Sequence, residues 1–151
     1  MSDDAVTADI TINAPKKDVW EACMDADRLE EWVTIHKKLE SSDSGPPRVG
    51  MKMKQSLVLR GATFKVSWEL TECVDHSCAI WEGRGPLRSY ARTEYHLCEN
   101  ADGGTDFHYV NEFKAPGGPV GKAASKALVG GLPQREADRS LAQLKKLLEA
   151  H

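Results

Sequence analysis

The chain has 151 residues, of which 28% are charged and 40% are hydrophobic, and its net charge is −3. This length suits one domain with a single substantial core, spanning residues 1–151. The slight negative charge argues against a nucleic-acid-binding protein, which normally carries a clustered basic face. The densest basic cluster falls on the solvent face of a predicted helix, where a hydrated surface explains it.

The sequence shows no membrane-spanning or secretory segment, and its cysteines follow no metal-binding or redox motif. No apolar run approaches the ~18 residues that a transmembrane helix needs, and the acidic start MSDDAV lacks the apolar core of a secretory signal. The four cysteines form no CxxC motif, which favours reduced thiols in a cytoplasmic protein over a disulfide framework or a metal site. No cofactor is expected.

The first third of the chain alternates between strand and helix signals. Val6 to Ile12 alternate apolar and polar side chains, which predicts a half-buried strand. Pro15 then begins a helix, because its imide nitrogen needs no hydrogen-bond partner in a first turn. A second short helix is expected from about Ala26 to Trp32, followed by a weak strand over Thr34 to Glu40. The side chains predicted to face the core are Val6, Ala8, Ile10, Ile12, Val19, Trp20, Cys23, Leu29 and Trp32.

From Val49 onward the pattern has the period of two that is typical of strands. A hairpin with its turn at Arg60–Gly61 aligns the pairs Met53–Trp68, Gln55–Val66 and Leu57–Phe64 on one face. A strand over Cys78–Gly83 follows. A second hairpin, from Ser89–Glu99 to Thr105–Lys114, aligns Thr93–Asn111, Tyr95–Tyr109 and Leu97–Phe107 on the inner face. Its outer face then pairs Arg92 with Glu112 and His96 with His108.

The C-terminal run from about Gly117 to Glu149 has helical periodicity. Its second half places Ala137, Leu141, Leu144 and Leu148 on one face, which fills space against a sheet. Its first half carries a stripe of small residues instead: Val120, Ala123, Ala124, Ala127 and Gly131. Gly130–Gly131 and Pro133 interrupt the pattern, and predict either a kink that gates a cavity or two consecutive helices with Pro133 in the first turn of the second.

Strand, two helices, six strands and a long helix predict an α+β fold with a mostly antiparallel sheet of about seven strands. The motifs that punctuate this order are Ile12–Asn–Ala–Pro15, Asp18–Val–Trp20, Leu29 to Trp32, Trp81–Glu–Gly83, Gly104–Thr105 and Phe113 to Pro119. In order and spacing the chain resembles the START-like (SRPBCC) superfamily with the Bet v 1-like helix-grip fold, most of all its polyketide cyclase/dehydrase and lipid-transport branch. The resemblance implies a curved sheet around the long helix, with a deep apolar cavity between them. It leaves the activity open, since this superfamily includes lipid carriers, hormone receptors, cyclases and co-chaperones.

Small side chains on the later strands face small side chains on the helix, which predicts either a cavity or a close approach of helix and sheet. An apolar, aromatic cavity with a few polar groups suits a hydrophobic or ring-bearing ligand. The predicted ligand-binding residues are Met53, Trp68, Trp81, Ser89, Ala91, Thr93, Tyr95, Tyr109, Asn111, Phe113, Ala124, Ala127 and Leu128.

Polar residues on the inner face refine this picture. An amide at Asn111 needs hydrogen-bond partners when buried, and Thr93, a water or a ligand would serve; Gln55 raises the same question. On the outer face, His96 and His108 beside Cys98 and Asp106 form either an exposed polar ladder or a metal patch.

Three functions remain open from the sequence. The first is binding, transport or sensing of a small hydrophobic, lipid-like or polyketide-like molecule, with no nucleic-acid partner and no integral membrane segment. The second is a cyclase, aromatase or dehydratase, although the predicted inner face offers only the phenols of Tyr95 and Tyr109, which are poor bases with an ordinary pKa of about 10. The third is a protein-interaction module of the co-chaperone type.

Overall fold

The computed structural model describes residues 5–59, 62–114 and 132–149, which form a curved antiparallel sheet of seven strands with helices packed against it. The elements are β1 (Ala5–Ile12), α1 (Lys16–Met24), a 3-10 turn (Ala26–Arg28), α2 (Leu29–Trp32), β2 (His36–Ser42), β3 (Lys52–Leu59), β4 (Ala62–Val74), β5 (Cys78–Arg84), a 3-10 turn (Pro86–Arg88), β6 (Tyr90–Glu99), β7 (Thr105–Lys114) and α3 (Leu132–Glu149). The strand order is β1-β7-β6-β5-β4-β3-β2. The predicted helix-grip α+β fold, with two short helices after the first strand, is confirmed.

Both predicted hairpins have the predicted register. Met53, Gln55 and Leu57 on β3 lie opposite Trp68, Val66 and Phe64 on β4. On β6 and β7 the pairs are Thr93–Asn111, Tyr95–Tyr109, Leu97–Phe107, Arg92–Glu112 and His96–His108. The turn at Arg60–Gly61 lies outside the described residues. Because side chains alternate between faces, a correct register assigns each strand residue to the inner or the outer face.

The sheet deviates from regular pairing where it bends. β4 has a register shift between Leu70 and Glu72 opposite β5, and β2 has two shifts opposite β3. Such bulges add twist and curvature to antiparallel sheets. β2 also begins two residues later than predicted, because the backbone N–H of Thr34 donates to Ser140 Oγ at 3.1 Å and not to a strand.

The helices cover the inner face. Val19, Trp20 and Cys23 of α1 and Leu29 and Trp32 of α2 are buried, as predicted. Pro15 directly precedes α1 at its N-cap position, where a residue without an N–H costs the helix no hydrogen bond.

The last helix is held on the edge strand β1. Its buried face consists of Ala137, Leu141, Leu144 and Leu148, as predicted. An edge strand leaves backbone groups unpaired, and polar side chains of α3 bond to some of these groups. Gln134 Nε2 and Lys145 Nζ donate to the carbonyls of Thr7 and Thr11 at 2.9 and 2.7 Å, respectively.

Pro133 lies in the first turn of α3, where the missing N–H is tolerated. The small-residue stripe from Val120 to Gly131, and with it the proposed gate at Gly130–Gly131, lies outside the described residues.

Candidate ligand-binding site

A cavity of about 280 Å³ lies between the sheet and the helices, near the lower end of the ~300–1,000 Å³ typical of small-molecule sites. Its apolar lining includes Val6, Met24, Leu29, Trp32, Met51, Met53, Leu57, Phe64, Val66, Trp68, Trp81 and Phe113. Its polar lining consists of Ser42, Gln55, Thr93, Tyr95, Tyr109, Asn111, Glu136 and Ser140. A mostly apolar cavity with dispersed hydrogen-bonding groups is the kind of site that the sequence predicts.

The structure places the predicted site residues as follows. Met53, Trp68, Trp81, Ala91, Thr93, Tyr95, Tyr109, Asn111 and Phe113 line the cavity. Ser89 does not: it is buried, and its hydroxyl donates to the carbonyl of Pro86 at 2.8 Å within the turn before β6. Ala124, Ala127 and Leu128 lie outside the described residues.

Tyr95 is the centre of an aromatic cluster in the cavity wall. Its ring centroid lies 6.0 Å from that of Trp32, 5.6 Å from Phe107 and 6.1 Å from Tyr109, and the two tyrosine rings are stacked. Burial raises the pKa of both phenols above the ordinary value. Both therefore keep their protons at neutral pH, so they are hydrogen-bond donors and not bases.

A chain of hydrogen bonds ties Trp68 to His36 through Gln55. Trp68 Nε1 donates to Gln55 Oε1 at 3.0 Å, and Gln55 Nε2 lies 2.8 Å from His36 Nδ1. An indole nitrogen can only donate, so the amide oxygen of Gln55 must face Trp68 and its nitrogen must face His36. His36 Nδ1 is then the acceptor, which makes the ring neutral with its proton on Nε2. The sequence left the hydrogen-bond partners of Gln55 open, and the structure shows that Trp68 and His36 bond to its amide oxygen and nitrogen.

The electrostatics of His36 agree with this assignment. Burial lowers the pKa of its imidazole, and the nearby carboxylate of Glu30 opposes that shift only in part. The neutral ring is therefore favoured by its surroundings as well as by Gln55.

Asn111 is hydrogen-bonded to Thr93, one of the partners that the sequence suggested. Thr93 Oγ1 donates to its Oδ1 at 3.3 Å. Among the described residues, none accepts a hydrogen bond from the amide nitrogen. Because Asn111 lines the cavity, that N–H₂ group can donate to a bound molecule.

The sequence missed the carboxylate of Glu136 and the hydroxyl of Ser140, both on α3 and both in the cavity wall. The two residues are four apart and border the apolar stripe of the helix on one side. This position in the sequence could have predicted them, because residues beside the apolar stripe of a helix lie at the rim of its contact with the sheet. The sequence analysis considered only the inner face of the strands, and this carboxylate reaches the cavity from the helix.

Thiol and metal chemistry have little support in this site. Cys23 lines the cavity, but burial raises the pKa of its thiol, which keeps it protonated. All four cysteines are unpaired. Within the part of the chain that the structure describes, no three or more His, Cys, Asp or Glu side chains are placed to hold a metal ion.

The outer pair of histidines takes part in a polar ladder. His96 Nε2 lies 2.8 Å from Glu94 Oε1, and His108 Nδ1 lies 2.6 Å from Asp9 Oδ1. The imidazole centroids are 6.0 Å apart. Each ring is thus oriented by a carboxylate on the exposed face of the sheet, away from the cavity.

A curved sheet that encloses an apolar cavity with a C-terminal helix defines the class of helix-grip proteins. The sequence matches the polyketide cyclase / dehydrase and lipid transport family over residues 4–149. The chain belongs to this family. No protein with a curated description matches the sequence.

Solved structures share the fold at low identity. The Zhui aromatase/cyclase from Streptomyces sp. R1128 has a TM-score of 0.77 and 14% identity, over 96% of this chain and 93% of that one. TTHA0849 from Thermus thermophilus has a TM-score of 0.77 and 18% identity, over 97% of both chains. DynU16, from the dynemicin biosynthetic locus, has a TM-score of 0.66 and 19% identity, over 98% of this chain and 48% of that one. Among the described residues, no helix is long and apolar enough to cross a membrane.

Proposed function

We propose that the protein binds a small, hydrophobic, ring-bearing molecule in this cavity, as a carrier or a sensor. The observation that carries the proposal is the cavity itself, about 280 Å³ in volume and lined mainly by aromatic and aliphatic side chains. Burial of apolar ligand surface against such walls is the main source of affinity. Membership of a family described by polyketide cyclisation and lipid transport supports the same class of ligand.

The polar groups of the wall would orient the ligand. The phenols of Tyr95 and Tyr109 and the amide nitrogen of Asn111 are donors, and a ligand carbonyl is their natural acceptor. Gln55 is already bonded to Trp68 and His36, so it holds the indole in place and leaves the flat face of Trp68 for stacking on a ring.

A cavity-filling variant tests the proposal. An uncharged aromatic probe, 2-methoxynaphthalene, is titrated into the wild type, Ala91→Phe and Thr63→Phe while tryptophan fluorescence is recorded. Ala91 lines the cavity, and Thr63 is exposed on β4. The wild type and Thr63→Phe should bind, and Ala91→Phe should lose about tenfold or more in affinity, because its ring occupies the ligand volume. Equal affinity of all three proteins would contradict the proposal.

Mass spectrometry of molecules extracted from the purified wild-type protein would identify the natural ligand.

A second candidate is an aromatase/cyclase that acts on a polyketide-like substrate. The specific observation in its favour is that protonated phenols and a carboxylate, Glu136, line one cavity, since such cyclisations need a positioned acid and base. Turnover of a poly-β-ketone substrate that Tyr95→Phe or Tyr109→Phe abolishes would establish this activity. Binding without turnover would favour the carrier or sensor.

A further inference from the structure

We infer that Glu136 gives the cavity a charge preference: it selects ring-bearing ligands that carry a hydroxyl or an ammonium group and discriminates against carboxylates such as fatty acids. This inference rests on the proposed function, since it specifies the ligand class of the same cavity. It also distinguishes two ligand types that an apolar wall alone would accept equally.

Glu136 is the one charged side chain among the described residues that line the cavity. Only 14% of its side-chain surface is exposed. A carboxylate that is mostly withdrawn from water is screened less than one on the open surface, so its charge acts on a ligand in the cavity beside it. Among the described residues, the carboxylate of Glu136 is therefore the one charge that a ligand in this cavity meets.

The hydrogen bonds around Glu136 are directed towards it. The backbone N–H of Thr34 donates to Ser140 Oγ at 3.1 Å, and the hydroxyls of Thr34 and Ser140 are 3.2 Å apart. Thr34 Oγ1 donates to Glu136 Oε2. A carboxylate only accepts, so the single proton of Thr34 goes to Glu136 and the proton of Ser140 goes to Thr34. The two hydroxyls thus form a directed chain of hydrogen bonds that ends at Glu136 Oε2.

The second carboxylate oxygen, Oε1, accepts no hydrogen bond from any residue that the structure describes. Its nearest positive group among the described residues is Arg139 Nη1, at 3.6 Å from Oε1, on a side chain that is 69% exposed. At that distance no hydrogen bond forms, and an exposed arginine compensates a neighbouring charge only weakly. Oε1 can therefore accept a hydrogen bond from a ligand hydroxyl or ammonium group, whereas a ligand carboxylate would face it without a proton between them.

The test uses four probes with one ring system and different head groups: 2-methoxynaphthalene, 2-naphthol, 2-naphthylmethylamine and 2-naphthoate. Their affinities are measured at about pH 7.5, where the amine and the acid are both charged. The proteins are the wild type, Glu136→Gln and the matched control Asp138→Asn. Asp138 is exposed on the same helix and does not line the cavity, so this control reports the effect of removing one charge from the surface of α3.

The wild type and Asp138→Asn should bind the amine and the naphthol about tenfold or more tightly than the naphthoate. In Glu136→Gln the amine should weaken and the naphthoate should strengthen, while 2-methoxynaphthalene should not change. Equal affinities for amine and naphthoate in the wild type, or a ratio that Glu136→Gln leaves unaltered, would overturn the inference while the cavity remains a ligand site. Failure of all four probes to bind would overturn the proposed function and the inference with it.

Discussion

At the scale of single residues, the most informative side chain is Gln55. Its amide is fixed by Trp68, which can only donate, and it therefore fixes the neutral form of His36. A proton added to His36 Nδ1 would place two donors 2.8 Å apart, so either Gln55 would turn away from Trp68 or His36 would move. The protonation state of His36 is thus connected, through the two hydrogen bonds of Gln55, to the indole of Trp68 in the cavity wall.

This connection predicts a specific loss of stability in acid. Burial lowers the pKa of His36 in the folded protein, so the unfolded chain, with an ordinary pKa of about 6.5, takes up the proton first. The contribution of His36 to the free energy of unfolding is therefore complete above that pH and is lost as the pH falls from about 6.5 towards the folded pKa. Thermal unfolding between about pH 7.5 and pH 5 should show a larger decrease in Tm for the wild type than for His36→Gln, whose side-chain oxygen can still accept from Gln55. Parallel curves for the two proteins would refute the assignment of the neutral ring.

The sequence predicted inward-facing residues well where alternation decides orientation and poorly where turns or helix edges do. Met53, Trp68, Tyr95 and Asn111 follow from the period of two. Ser89 is buried in step with the same period, but it does not line the cavity, because its hydroxyl bonds within the turn at Pro86. Glu136 could have been found from its place at the edge of the apolar stripe of α3. The link from Gln55 to His36 depends on a contact between two strands, which no local pattern encodes.

At the scale of elements, the β4–β5 pair illustrates how a backbone position shapes the cavity wall. Gly83 lies opposite Trp68 in the sheet, and a Cβ at Gly83 would come within 2.7 Å of the Trp68 ring and 2.6 Å of a Val66 methyl. Only a residue without a side chain allows the indole to lie across β5. The position of Trp68 in the cavity thus depends on its neighbour strand.

Gly83→Ala should therefore reduce the free energy of unfolding by about 1–3 kcal/mol, the usual cost of overpacking a core. The displaced indole should also lose its hydrogen bond with Gln55, which would change the tryptophan fluorescence. Urea unfolding followed by fluorescence measures both effects, and far-UV circular dichroism serves as the control that the sheet is retained. An unchanged midpoint together with an unchanged emission spectrum would show that the indole does not need this space.

Both hairpin registers were predictable because one pairing had to place apolar side chains on the inner face and polar side chains on the outer face of both strands. A shift of one residue would have placed Lys54 or Lys65 on the core face and Trp68 in solvent. The later start of β2 was not predictable, since it depends on the bond from Thr34 to Ser140 across 106 residues of sequence. Strand type is encoded locally, whereas strand ends respond to tertiary contacts.

At the scale of the whole molecule, bulges in β2 and β4 accompany the curvature of the sheet, and helices from both ends of the chain cover its inner face. The order of elements was sufficient to predict this architecture and the family. It was not sufficient to predict the ligand, because selectivity depends on a few polar atoms such as those of Asn111 and Glu136. The pattern of the sequence shows the face on which such a residue lies, but contacts between elements decide which of its polar atoms face a ligand.

The most direct measurement of the central claim, that the cavity is the ligand site, uses methionine methyl groups. Met24, Met51 and Met53 all line the cavity, so protein labelled with ¹³C at the methionine methyls reports its occupancy. On addition of 2-methoxynaphthalene, the signals of these three methyls should shift and show nuclear Overhauser effects to the naphthalene protons. Binding of the probe without any change in these signals would place the ligand elsewhere and contradict the account.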